Sequence, residues 1–254
     1  PSRGRPLQGR RRSLPGAGPR RRAHHPRWCR DCVLQPLMTH IPSATVSRLV
    51  TYLRILTELN ERGVERAASD DLARDAHVSA FQVRKDLAYF GRFGTRGAGY
   101  VVVHLLEELQ RILGLTRTWN AAIVGMGRLG GALADYPNMH AYGFSLRAAF
   151  DNDPAKVGTC IGGLTVHPMH VLTSVARREA LDIALLTVPG DAAQAATEAL
   201  AAAGVRGILN FAPIVLDVPD GMHVESADFL AGLTRVSYYL HASLTDPDGA
   251  GVAS

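Results

Sequence analysis

Apolar residues recur at Val46, Leu49, Val50, Leu53, Leu56 and Leu59, the spacing of a helix with one buried face. A first helix is therefore predicted from a cap at Ser43 or Thr45 to a stop at Gly63. Ser69, followed by Asp70 and Asp71, places a cap and two acids at a second helix start, where they complement the dipole, with Leu72, Ala73 and Ala76 facing inward. After the short turn His77-Val78, Ser79 caps a third helix, Ala80 to about Phe90, with Val83, Leu87 and Phe90 on one face. Two short helices joined across such a turn are a helix-turn-helix.

The other face of the third helix carries Gln82, Lys85 and Tyr89, flanked by Arg84. This cationic, amide and aromatic set suits phosphates and base edges in a major groove. Glycines at 91, 94, 97 and 99 then predict a tight β-hairpin, a wing, with Arg92 and Arg96 at its tip and within reach of a minor groove. A helix-turn-helix alone serves plain packing as well as DNA binding, and the wing is what favours DNA.

From about residue 119 the pattern changes to short apolar runs separated by helical stretches. Ala121 to Val124 reads as a buried strand, and Gly125-Met126-Gly127-Arg128-Leu129-Gly130 follows at once and opens a helix through Leu133. In that context Gly125 makes the turn, Gly127 admits a pyrophosphate close to the backbone, and Gly130 lets helix pack on strand. A second strand, Leu146 to Phe150, ends in Asp151, twenty-one residues beyond Gly130. An acid at that distance accepts from a ribose 2′-hydroxyl and repels a 2′-phosphate, which selects NADH and NAD+ over their phosphorylated forms.

Further strands are predicted at Leu164–Val166, Asp182–Val188, Gly207–Phe211 and Met222–Val224. Helices are predicted through Val175, over 191–203 and from about 227. Strand ends face ligands in such sheets, which places Thr187, Val188, Pro189 and the Asn210-Phe211-Ala212-Pro213 segment beside the cofactor, although turn formation explains each equally well. The fold class is α/β: an N-terminal winged helix-turn-helix domain plus a C-terminal Rossmann-like doubly wound parallel sheet. The boundaries are 41–118 for the winged domain, 119–226 for the nucleotide domain and 227–254 for a C-terminal helix and tail.

Charge qualifies the DNA reading. The chain has 28 Lys+Arg against 23 Asp+Glu, a net +5, but residues 1–40 hold ten Arg and one acid, a net +9, which leaves −4 for residues 41–254. The basic excess thus belongs to an Arg/Pro/Gly tail with little to bury, read as disordered. What supports DNA binding is local: Arg84, Lys85, Arg92 and Arg96 against Asp86 give +3 across residues 80–100. Met38 precedes the first periodic segment, so the natural start is expected there, and the intact mass of the native protein tests it. Cys29 and Cys32 form a CxxC near His24-His25 without a second ligand pair, so no metal is expected. His167, His170 and Cys160 are read as surface or inert groups. No run of eighteen apolar residues and no apolar export segment occurs, which indicates no membrane span and a cytoplasmic location.

About 136 residues remain once the tail and helical module are set aside, too few for a separate substrate domain. A nicotinamide binder fused to a DNA reader therefore reads as a sensor and not an enzyme, the rival being a small NAD-dependent oxidoreductase with an accessory helical domain. The strings SRLVTYLRIL (47–56), AFQVRKDLAYFG (80–91), GTRGAGY (94–100), IVGMGRLGGALADYP (123–137), FDNDPAKVG (150–158), LLTVP (185–189), GILNFAP (207–213) and VESADFLAGLTRVS (224–237) strongly resemble the redox-sensing transcriptional repressor family Rex. The resemblance implies a homodimer with an exchanged C-terminal helix, bound to palindromic operator DNA and released by NADH, with weak competition by NAD+. It would thus report the NADH/NAD+ ratio to genes of respiration and fermentation. It places Arg84, Lys85 and Arg96 at the DNA, beside Gln82 and Tyr89 of the same helix. It matches Gly125, Gly127, Gly130 and Asp151 to the cofactor cradle, and Met126, Arg128, Leu129, Lys156, Thr187, Val188, Pro189 and Asn210 are expected beside them. By the same resemblance, Tyr136 would lie near the nicotinamide, Phe229 would line the partner's pocket, and Arg54 with Asp228 would form an interdomain ion pair that changes with state.

Overall fold

The computed structural model describes Pro1 and residues 41–94, 98–137 and 139–245. The tail with Cys29 and Cys32, and the predicted wing tip with Arg96, lie outside the described residues.

The helical module contains α1 (Ser43–Glu61), α2 (Ser69–Asp75) and α3 (Ala80–Ala88). Gly63 ends α1 with φ +72. Two caps differ from expectation. Pro42 stands at the N-cap of α1, its carbonyl accepting from the Thr45 and Val46 amides, and Ala68 stands at the N-cap of α2, with Ser69 already helical. Asp71 rather than Ser69 closes the α2 start, its carboxylate accepting from the Ala68 amide at 2.8 Å. Ser79 does cap α3, its hydroxyl accepting from the Gln82 amide at 3.1 Å. The buried stripe of α1 is Leu49, Tyr52, Leu53, Ile55 and Leu56, while Val46 and Val50 are exposed.

Two elements escape the periodicity. Strand β1 (Arg66–Ala67) pairs antiparallel with β2 (Tyr100–Val101), and α4 (Val102–Ile112) follows at once and packs on α1 through Leu105 and Leu109. The wing strand therefore pairs with the α1–α2 connection, and no hairpin forms within 91–100 among the described residues. Gly99 makes this pairing feasible: it has φ +66, and a Cβ there would stand 2.5 Å from the Ala67 carbonyl oxygen.

The second half is a seven-stranded sheet. Its strands are β3 (Trp119–Val124), β4 (Phe144–Asp151), β5 (Cys160–Ile161), β6 (Leu164–Pro168), β7 (Ile183–Leu186), β8 (Gly207–Asn210) and β9 (His223–Ser226), in the order β5-β6-β4-β3-β7-β8-β9. All neighbours are parallel except β5 with β6. Apart from the added β5, this is the 3-2-1-4-5-6 arrangement of a dinucleotide-binding fold, which reverses direction between β3 and β7.

Both sheet faces are apolar along β3. Ala122 and Val124 pack with Phe150, Leu172, Val175 and Leu200, while Ala121 and Ile123 pack with Met126, Ala149 and Val166 on the other side. Helices α5 (Arg128–Ala134), α6 (Leu172–Glu179) and α7 (Gly190–Ala202) connect the strands. The last helix, α8 (Phe229–Thr245), buries no residue, although Phe229, Leu230, Leu233, Val236, Tyr238, Tyr239, Leu240 and Leu244 are all exposed. A helix this apolar calls for a covering surface. No helix among the described residues is long and apolar enough to cross a membrane.

Candidate nucleotide cleft and nucleic-acid face

The nucleotide cleft forms where the sheet order reverses. Gly125, with φ +99, turns the chain out of β3, and Gly127 caps α5. The Thr187 hydroxyl at the end of β7 donates to the Gly125 carbonyl at 2.6 Å and tethers the loop to the neighbouring strand. A Cβ at Gly130 would collide with the Gly125 carbonyl oxygen, whereas one at Gly127 would meet nothing within 4 Å. Gly130 thus serves packing, and Gly127 faces open space, the arrangement a pyrophosphate needs. The cleft, about 780 Å³, is lined by Gly125, Gly127, Asp151, Asn152, Lys156 and Thr187–Pro189, with the Ala-rich face of α7 as one wall. Its size and glycine-rich backbone fit a dinucleotide.

Asp151 is held in place before any ligand arrives. One carboxylate oxygen accepts from the Asp153 amide at 2.8 Å; the other accepts from the Met126 amide at 2.8 Å and from Lys156 Nζ at 3.1 Å. Burial opposes its ionisation, but these donors outweigh burial and hold the carboxyl below the usual carboxylate range. A fixed, ionised acceptor at this strand end suits a ribose hydroxyl. Met126 contributes through its amide, since its side chain is in the core. Arg128 and Leu129 are exposed on the first turn of α5.

Other expected contacts fall elsewhere. Asn210 is buried, and both ends of its amide are engaged in its own turn: Nδ2 donates to the Ile214 carbonyl at 3.0 Å, and Oδ1 accepts from the Ala212 amide at 2.9 Å. It shapes the turn after β8 and does not line the cleft. Tyr136 and Phe229 are 60% and 72% exposed, so no contact within one chain explains either aromatic. Arg54 and Asp228 form no ion pair among the described residues; Asp228 instead accepts from the Ala231 amide at 3.0 Å and starts α8. His167 is half-buried against Phe150 and His170 is exposed, and the described residues hold no cluster of metal-ligating side chains.

The second site is the outer face of α3. Lys85, Tyr89 and Arg84 are exposed there, and Arg84 donates to the Ser69 hydroxyl at 3.0 Å. Gln82 is only half-exposed. Asp86, counted above against the local basic charge, is wholly buried and ionically paired with Arg48 of α1 at 2.6 Å. It therefore subtracts nothing from the basic surface. Its carboxylate also accepts from Thr45, Tyr52 and Gln82. Helical period alone sets Asp86 on the face of Val83 and Phe90, but it does not reveal the α1 donors, which lie 34 to 41 positions away.

Burial pushes the Asp86 carboxyl up, but the hydrogen bonds from Arg48, Gln82 and Tyr52 and the charge of Arg48 outweigh it and hold the group below the usual range. Burial and the neighbouring Asp86 push the Tyr52 phenol well above its usual value. Two pH effects follow. The Asp86 contribution is complete above the unfolded carboxylate value, about 3.9, and is lost as pH falls through the lower folded value. The Tyr52 contribution is complete below about pH 10 and fades as pH rises beyond it. Tyr52→Phe is therefore expected to reduce the decline in stability above pH 10, measured by urea unfolding across pH; an unchanged alkaline decline would exclude Tyr52 as its source.

A winged helix-turn-helix joined to a dinucleotide-binding sheet defines a nucleotide-responsive DNA-binding protein. Residues 40–88 match the family model described as putative DNA-binding protein N-terminus, and residues 116–214 match the CoA binding domain model. The redox-sensing transcriptional repressor Rex of Thermus thermophilus is 57% identical over 199 residues, covering 78% of this chain and 93% of that protein. That of Deinococcus radiodurans is 52% identical, covering 79% and 93%. The chain belongs to the redox-sensing transcriptional repressor Rex family. Among solved structures, the Rex-family repressor RSP in complex with NAD+ and operator DNA superposes with a TM-score of 0.77 at 37% identity, covering 85% of this chain and all of that one. The same protein with NADH gives 0.74 at 36% identity, covering 82% and 97%.

Proposed function

We propose that this protein is a homodimeric, cytoplasmic transcriptional repressor that binds palindromic operator DNA through α3 and releases it when NADH fills the cleft at Gly125–Gly130 and Asp151. It reports the NADH/NAD+ ratio to genes of respiration and fermentation. The observation that carries the reading is the coexistence in one chain of a preset Asp151 acceptor beside an open Gly127 and a basic, aromatic outer face on α3. The two cofactor forms differ by one charge and by ring planarity, and a ligand shifts an equilibrium only through such differential affinity. Tyr136 and Phe229 are the groups proposed to read the nicotinamide. Their exposure in a single chain fits a site completed by a second copy, with the uncovered apolar α8 exchanged between subunits. The test is a gel shift on palindromic duplex titrated with NADH and with NAD+ at fixed salt. Release at lower NADH than NAD+ concentration supports the reading; steady consumption of NADH with a small substrate would point to the oxidoreductase instead.

Lys85→Ala is expected to weaken duplex binding and lower the slope of log affinity against log salt by about 0.9, one phosphate contact. An unchanged slope removes Lys85 from the interface. The Arg54–Asp228 pair is proposed to form between copies in one state only. Asp228→Ala is expected to leave NADH binding intact while abolishing NADH-driven release, and release at the wild-type NADH concentration would contradict the pair.

A further inference from the structure

Asp86 accepts five hydrogen bonds: from Thr45 Oγ1 at 3.2 Å, Arg48 Nη2 at 2.7 Å and Nε at 2.6 Å, Tyr52 Oη at 2.9 Å, and Gln82 Nε2 at 2.8 Å. Three of these donor residues lie on α1, so the carboxylate cannot shift without disturbing that helix's core face. The fourth, Gln82, lies on the first turn of α3, the part of a recognition helix that meets base edges. Only the NH2 end of an amide can face a carboxylate, so this contact also fixes which way the Gln82 amide points. Among the described residues the carbonyl oxygen and the second N–H take no other partner, which leaves both for an outside one.

We propose that Asp86 is a positioning residue for base recognition: anchored to α1, it holds the Gln82 amide in one orientation, so that Gln82 reads an adenine in each half-site. A side-chain amide matches adenine in the major groove because its oxygen accepts from N6–H and its N–H donates to N7. A free glutamine loses rotamer freedom on binding, and holding the side chain beforehand removes most of that cost. Lys85 and Arg84 supply affinity through charge, whereas the Asp86–Gln82 pair supplies selectivity without adding net charge to the surface. The inference rests on the DNA-binding reading above.

The test begins with selection of binding sites from a randomised duplex library by the full-length protein. Affinities are then measured for the selected duplex, for duplexes altered at each position, and for a random duplex. Gln82→Ala and Asp86→Asn are each expected to lose about tenfold in discrimination at the same adenine of each half-site. Discrimination is read as the ratio of selected-duplex to random-duplex affinity, so that a general loss of domain stability does not count. NADH binding should be unchanged in both, and Gln82→Ala should cost no further discrimination in the Asp86→Asn background. A purely structural Asp86 would instead lower specific and random binding together. If Asp86→Asn does not fold, side-chain amide NMR of the wild type decides: slow exchange of the Gln82 NH2 in free and bound protein supports the pair, and fast exchange overturns it. Enrichment of a palindrome with discrimination unaffected by Gln82→Ala defeats this inference alone. Failure of the wild type to enrich any sequence defeats the DNA-binding reading along with it.

Discussion

Asp86→Ala is expected to destabilise the winged domain by about 3–5 kcal/mol, the cost of breaking a buried ion pair from one side. Removal of the carboxylate leaves the buried Tyr52 hydroxyl and Thr45 without their acceptor and strips Arg48 of both its ionic contacts. Arg48 keeps 27% of its side chain exposed and can turn toward water, so the hydroxyl groups bear much of the loss. Urea unfolding followed by circular dichroism at fixed protein concentration measures it. A change below about 1 kcal/mol would mean that the cluster behaves as an exposed surface pair. Arg48→Ala provides the complementary measurement, because it strands the carboxylate in place of its donors.

Gly130→Ala is expected to abolish cofactor response while sparing DNA binding. The added methyl runs into the Gly125 carbonyl; a Cβ has no rotamer to escape by and the atom it meets is backbone, so no flexible side chain can give way. Helix α5 must move away from the turn that follows β3, straining the 2.6 Å bond between Thr187 and Gly125. The stability cost is about 1–3 kcal/mol, typical of overpacking. NADH affinity should fall at least about a hundredfold, equivalent to roughly 2.8 kcal/mol. Calorimetric titration with NADH and an operator gel shift on the same variant give the two readouts. NADH binding within about threefold of wild type would show that the glycine is not needed for helix packing, and loss of DNA binding would show that the two domains are not separable.

The two halves differed in how openly they declared themselves. Gly125, Gly127, Gly130 and Asp151 were legible because each answers a local demand, a turn, an approach, a helix contact or a strand end, at fixed spacing within one βαβ unit. Val83, Leu87 and the Ser79 cap were legible for the same reason, since a helix face and its cap repeat over a few residues. Strand β1 was not: two residues carry no period, and they become a strand only because Tyr100 and Val101, far along the chain, pair with them. Helix α4 was hidden behind the apolar run Val101-Val102-Val103, whose β-branched residues suggest a strand although the helix begins at Val102.

Polar residues show the sharpest division. Asp86 gathers donors from α1 across 34 to 41 positions, whereas the partners of Asn210 lie within its own turn, at most four residues away. A hydrogen-bond partner is a matter of position in space, and residue order reports only neighbours within a turn or a strand. Hydrophobic period, glycine spacing and the acid after the second strand were therefore enough to establish a winged helix ahead of a dinucleotide-binding sheet. The burial of Asp86, the orientation of Gln82, the pairing of the wing strand and the exposed apolar face of α8 emerged from the folded chain, because each depends on contacts between segments that local sequence leaves free to meet or to miss.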